Sequence, residues 1–143
     1  MNWDRIESHH YHKEPTEYIY APQIFDLKDY DRLYENQSDL EHQLWKDFDK
    51  DYRIGFELKE DFIDLDFNKQ VMCLWFFKER NDKTISSVSL AGKSLKYLPN
   101  TFLITTSKDI TFVPKSKRYI RNPLLQLDMS LQTYKDIVQK VQK

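Results

Sequence analysis

Apolar and polar positions along this chain change period repeatedly, and each change predicts an element. Between Phe25 and Phe48 the apolar residues recur at helical spacing: Leu27, Tyr30, Leu33 and Tyr34, then Leu40, Leu44 and Phe48 with Trp45 alongside. Ser38-Asp39-Leu40-Glu41 has the form of a capping box, so the spacing predicts two short helices or one helix kinked at Ser38. From Tyr52 the period falls to two. Tyr52, Ile54, Phe56 and Leu58 occupy alternate positions, as do Ile63, Leu65 and Phe67. Keeping every apolar side chain on one face sets Leu58 opposite Ile63, Phe56 opposite Leu65 and Ile54 opposite Phe67.

The run Val71-Met72-Cys73-Leu74-Trp75-Phe76-Phe77 has no period at all, being apolar throughout and hemmed by Asn68-Lys69-Gln70 and Lys78-Glu79-Arg80-Asn81-Asp82. So short and aromatic a run, bounded by turn-formers, predicts a strand buried on both faces. A two-residue turn at Asn68-Lys69 would set Leu65 against Met72 and Ile63 against Leu74. The strand then carries Met72, Leu74 and Phe76 on one face and Val71, Cys73, Trp75 and Phe77 on the other. If nothing covers that second face, Trp75 and Phe77 form an apolar patch of the kind that marks an interface.

Further on, Thr84 to Ala91 reads as a weaker, Ser-rich strand with a turn after it at Gly92-Lys93-Ser94. Residues 101–106 and 109–113 read as a hairpin around Ser107-Lys108, and 123–128 as a last strand. Leu131, Tyr134, Ile137, Val138 and Val141 form one helical face with Ser130 as N-cap. The start, residues 1–22, reads as irregular, with at most a short edge strand between Pro15 and Pro22.

These elements predict a single α+β domain over residues 1–143. Residues 1–22 are irregular, 23–50 helical, 52–128 mainly strands and 130–143 a C-terminal amphipathic helix. Strands joined by short turns favour an antiparallel meander sheet of about five to seven strands, with the C-terminal helix packed on it.

Composition narrows the chemistry. The chain has 143 residues, 40% of them hydrophobic, 15% aromatic and 31% charged, enough to bury a core and too polar for a membrane span. It has two glycines, Gly55 and Gly92, which excludes Gly-rich phosphate loops and dinucleotide fingerprints. The single cysteine, Cys73, lies in the most apolar segment; it reads as a buried structural residue in a reducing, cytoplasmic protein. No cofactor is implied.

The formal net charge of −1 conceals a strong asymmetry. Residues 1–66 hold 18 acids and 8 bases, a net −10; residues 67–143 hold 5 acids and 14 bases, a net +9. The two halves either neutralise one another within the domain or offer separate acidic and basic surfaces to partners. On the acidic side Asp47, Asp49 and Asp51, with the Trp75 and Phe77 patch, are the candidate protein-binding residues. On the basic side Lys108, Lys115, Lys117, Arg118 and Arg121, with Tyr119 among them, suit phosphate contact and base stacking.

Two groups could bear other chemistry. Ser8-His9-His10-Tyr11-His12 supplies imidazole nitrogens near Glu14 and Glu17 but has no regular element to fix a metal geometry. Glu57, Asp64 and Asp66 share a strand face beside Lys59, the combination a Mg²⁺-dependent nuclease needs. The Glu57-Leu58-Lys59 triplet resembles the last element of restriction-type nucleases. That family places its acidic strand ahead of this element, whereas here it comes after; a solvated sheet face produces the same alternation.

The reading that best joins these features is a small, non-enzymatic protein-binding domain: an inhibitor, an immunity-type protein or an accessory factor. The abundance of Lys, Asn, Ile, Tyr and Phe fits an AT-rich source such as a phage or mobile element. The expected partner is another protein. A nucleic-acid-binding factor using residues 108–121 is the alternative and a metal-dependent nuclease the third reading; no membrane partner is expected.

Overall fold

Two strands with no polar residue facing water need cover on both sides, and the chain provides it. The structure, a computed structural model, describes residues 5–23, 28, 57–59, 62–76, 85–114, 124–127 and 129–142. The helices expected over 23–50 lie outside these residues apart from Gln23 and Lys28. A 3₁₀ turn at Ser8–His10 precedes β1 (Tyr11–His12) and β2 (Tyr18–Pro22). Then come β3 (Glu57–Lys59), β4 (Phe62–Asp64), β5 (Met72–Phe76), β6 (Ile85–Leu90), β7 (Lys93–Lys96), β8 (Thr101–Thr105), β9 (Ile110–Pro114), β10 (Leu124–Leu127) and helix α1 (Leu131–Val141). Among the described residues the strands form three antiparallel sheets: five strands in the order β1-β2-β8-β5-β10, three in the order β7-β6-β9, and the pair β3-β4.

The five-stranded sheet is the middle layer. On one face Ile19, Ala21, Val71, Cys73, Trp75, Phe102, Ile104 and Leu127 meet Tyr134, Ile137, Val138 and Val141 of α1. On the other, Tyr18, Met72, Leu74, Phe76 and Leu103 meet Val88, Leu90, Leu95 and Ile110 from the three-stranded sheet. The two faces of β5 predicted from its unbroken apolar run are therefore both core, and every residue from Val71 to Phe76 is fully buried. Stacked aromatic pairs reinforce this core: within the five-stranded sheet Trp75 lies against its cross-strand neighbour Phe102 at 5.5 Å, and Phe76 stacks on Tyr97 at 4.6 Å.

The helix forms where its periodicity predicts. Ser130 caps it, its hydroxyl oxygen accepting from the Thr133 N–H at 3.1 Å. Its apolar stripe faces the sheet while Gln132, Lys135, Asp136, Gln139 and Lys140 remain exposed.

The strands depart from the expected meander in five respects. β8, not β5, is the middle strand, with β2 on one side and β5 on the other. β8 and β9 do not form a hairpin; they belong to different sheets. A two-residue turn at Ser107-Lys108 would demand left-handed backbone that Ser and Lys disfavour. Instead the Thr105 hydroxyl accepts from Ser107 N–H at 3.1 Å and the Ser107 hydroxyl from Asp109 N–H at 3.2 Å, redirecting the chain to the second sheet. The tight turn sits one residue earlier than expected, at Ala91-Gly92, where φ is 49° and 85° as a type I′ hairpin between β6 and β7 requires.

β4 does not pair with β5, whose two edges are taken by β8 and β10. Leu65 therefore does not oppose Met72, although it joins the same apolar layer. Lastly, the segment between Pro15 and Pro22 is no edge strand: β2 runs between β1 and β8, with Pro22, which has no N–H to donate, at its last position. The β3–β4 register does match the alternation, with Glu57 opposite Asp64 and Leu58 opposite Ile63. Its continuation through Phe56 and Ile54 lies outside the described residues.

Candidate functional site

The residues singled out by sequence are scattered through this frame. Asp47, Asp49, Asp51, Phe77, Lys115, Lys117, Arg118, Tyr119 and Arg121 lie outside the described residues. Lys108 is exposed on the connection between β8 and β9. Trp75 is corrected outright: at 0% exposure beneath α1 it is a core residue and offers no surface to a partner. The patch expected around it does not form there, because the terminal helix covers that face.

Glu57 and Asp64 are cross-strand neighbours in β3–β4. Asp66 stands beyond the strand end, exposed, with Oδ1 accepting from the Asn68 N–H at 3.0 Å in a local turn. Its backbone is gripped from β10 by Gln126. The Gln126 amide oxygen accepts from Asp66 N–H at 2.8 Å and its amide nitrogen donates to Asp66 C=O at 2.9 Å, with Met72 Sδ at 3.7 Å as a further acceptor. Gln126 is 2% exposed, so this pairing satisfies a buried amide as well as the chain it holds. Lys59 and Glu57 belong to the same three-residue strand. Among the described residues no three His, Cys, Asp or Glu side chains are placed to share a metal ion.

Two polar clusters gather around the N-terminal strands, built from the histidine segment and Glu17 that the sequence offered as possible metal ligands, but with partners that spacing did not reveal. In the first, Glu17, just before β2, accepts from two tyrosine hydroxyls: Tyr11 on β1 to Oε2 at 2.6 Å and Tyr134 on α1 to Oε1 at 2.8 Å. Gln142, at the end of α1, donates to the Tyr11 hydroxyl at 3.2 Å, and the Thr105 hydroxyl donates to the Glu17 backbone carbonyl at 2.7 Å. Burial first, then the hydrogen bond to Glu17, raises both tyrosine pKa values above the ordinary phenol. One carboxylate thus joins the first hairpin to the last helix, with an oxygen committed to each tyrosine.

The second cluster is the histidine turn. Glu7 N–H donates to His10 Nδ1 at 3.0 Å, and His10 N–H donates to the Glu7 carbonyl at 3.0 Å. The Glu7 carboxylate lies 3.3 Å from His9 Nδ1, and the His9 and His10 rings are 4.0 Å apart. His12 stacks on Tyr18, its partner across β1–β2, at 4.7 Å, and Lys93 Nζ sits 5.5 Å from the centre of that tyrosine ring. Burial lowers the His10 pKa, His9 adding to the effect; burial and then Lys93 lower that of His12. Imidazoles held this way serve as hydrogen-bond acceptor and stacking plate.

Cys73 lies fully buried in the layer beneath α1, and burial pushes its thiol well above the ordinary range, the reverse of what a nucleophile needs. No helix among the described residues is long and apolar enough to cross a membrane.

Compared with protein-family models, curated proteins and solved structures, the chain matches none.

Proposed function

We propose that this chain is a small non-enzymatic protein-binding domain, an inhibitor, immunity-type or accessory factor, whose working surface is its acidic segment. The charge asymmetry carries the reading: residues 1–66 hold a net −10 against +9 in the remainder. A surface of one sign steers a partner of the other and raises its association rate. The burial of Val71 to Phe76 within the chain supports charge as the driver, since the apolar strand that would otherwise have offered a docking patch is already covered. Asp47, Asp49 and Asp51, separated by an aromatic and a basic residue, are the residues assigned to the contact.

The second reading, nucleic-acid binding, rests on Lys108, Lys115, Lys117, Arg118 and Arg121 around Tyr119. Affinity capture from the native cell, with and without nuclease, separates the two. A protein partner retained after nuclease, whose association slows when Asp47, Asp49 and Asp51 are changed to Asn, is the expected result. Retardation of nucleic acid at physiological salt, abolished by reversing Lys117 and Arg118, would replace this reading with the second.

A further inference from the structure

We propose that His10 is a proton-sensitive clasp that holds Ile6 in the core beneath α1. Ile6 is 2% exposed and belongs to the apolar layer shared by β2, β5, β8 and α1, yet it precedes the first strand and has no sheet ladder to hold it. The 3₁₀ turn comes directly after it, closed by the reciprocal bonds between Glu7 and His10. A backbone N–H can donate to Nδ1 only if that nitrogen is unprotonated, so the closed turn requires neutral His10 with its proton on Nε2. Adding a proton to Nδ1 points two N–H groups at each other and turns the bond into a repulsion.

The surroundings oppose that proton. His9 abuts the ring within the turn, and His12 approaches from β1; Lys93 reaches His12 from β7. β2, against which the turn packs, contributes Tyr18 and Tyr20 and no charged group. Among the described residues around the ring, Glu7 favours the cation, and its carboxylate is paired with His9. With the folded value below the free imidazole, the clasp contributes stability above the free pKa and loses it as pH falls through the folded one. Opening it frees Ile6 and uncovers one end of the apolar layer under α1 while the ladders of the five-stranded sheet stay intact.

Amide hydrogen exchange and methyl NMR on the full chain test this. Between about pH 7.5 and pH 5, Glu7 amide protection, corrected for intrinsic exchange, should fall about tenfold, the scale of one ordinary hydrogen bond. The Ile6 methyl should shift with the same midpoint, and the β8 amides should stay protected. In His10→Gln, whose side-chain oxygen accepts from Glu7 N–H at every pH, both changes should vanish. Unchanged Glu7 protection in the wild type would overturn the proposal, as would a transition that survives His10→Gln and tracks His9 or His12 instead.

Discussion

Gln126 is a polar residue in an apolar place, and its neighbours explain why it is there. On β10 its side chain faces the same way as Leu74 opposite, into the layer beneath the three-stranded sheet. There it meets the N–H and C=O of Asp66 as a neighbouring strand would. Gln126→Leu keeps the volume but leaves two backbone groups unmet, so a loss of about 1–3 kcal/mol is expected in urea unfolding, with little change in slope. Phe76, fully buried and stacked on Tyr97, should cost about 3–5 kcal/mol when cut to Ala. Unfolding within about 0.5 kcal/mol of wild type would show that its site collapses or is not core.

Tyr134→Phe removes one donor from a charged acceptor, and a loss of about 1–2 kcal/mol is expected for this partly buried bond. Its pH dependence has a definite sign. Both tyrosines hold their protons more tightly folded than unfolded, so their contribution is whole below the free phenol pKa and falls as pH rises above it. The wild type should lose more stability on the alkaline side than the Tyr134→Phe variant.

At the scale of elements, the turn between β6 and β7 makes the sharpest prediction. A Cβ on Gly92 would meet nothing within 4 Å, so Gly92→Ala costs only backbone strain at φ 85°, about 1–2 kcal/mol. Ala91, also left-handed at φ 49°, should be improved by Asn, the residue that tolerates this region best; thermal unfolding of the two single variants should move in opposite directions. Strands and the terminal helix were legible because each carries its own period: β5 and β8 by unbroken apolar runs, β3–β4 by alternation, α1 by its stripe. Their partners were not. An apolar strand is satisfied by any apolar neighbour, so adjacency in sequence suggested β4–β5 and β8–β9 pairings that the structure replaces with others. The deciding signals were single polar side chains, Gln126, Thr105 and Ser107, and these have no periodicity to detect. Glu17 and His10 stood out only as possible metal ligands, and their hydrogen-bonding roles were hidden for the same reason: their partners lie on other elements or in a turn too short to show a pattern.

At the scale of the whole molecule, charge organises the chain more than any motif does. If the acidic segment is the contact, raising salt should slow association with a basic partner, and the triple Asp47, Asp49, Asp51→Asn variant should lose most of that salt dependence. Reversal of Lys117 and Arg118 should leave it unchanged. If Glu57, Asp64 and Asp66 held a divalent ion, millimolar Mg²⁺ or Mn²⁺ would raise the melting temperature by linkage; no rise is expected, and one removed by Asp64→Asn would revive the nuclease reading.

The position of β8 between β2 and β5 has a consequence for how the molecule comes into being. Tyr18 to Pro22 are made long before Thr101 to Thr105, the strand that supplies their ladder, and β5 is completed on its other side by Leu124 to Leu127. All of these segments must therefore leave the ribosome before the middle sheet can close, and meanwhile β5 and the edge of β2 that faces β8 wait without their ladder partners. Contacts so distant in sequence place folding in the slow, millisecond-to-second range of β-rich domains.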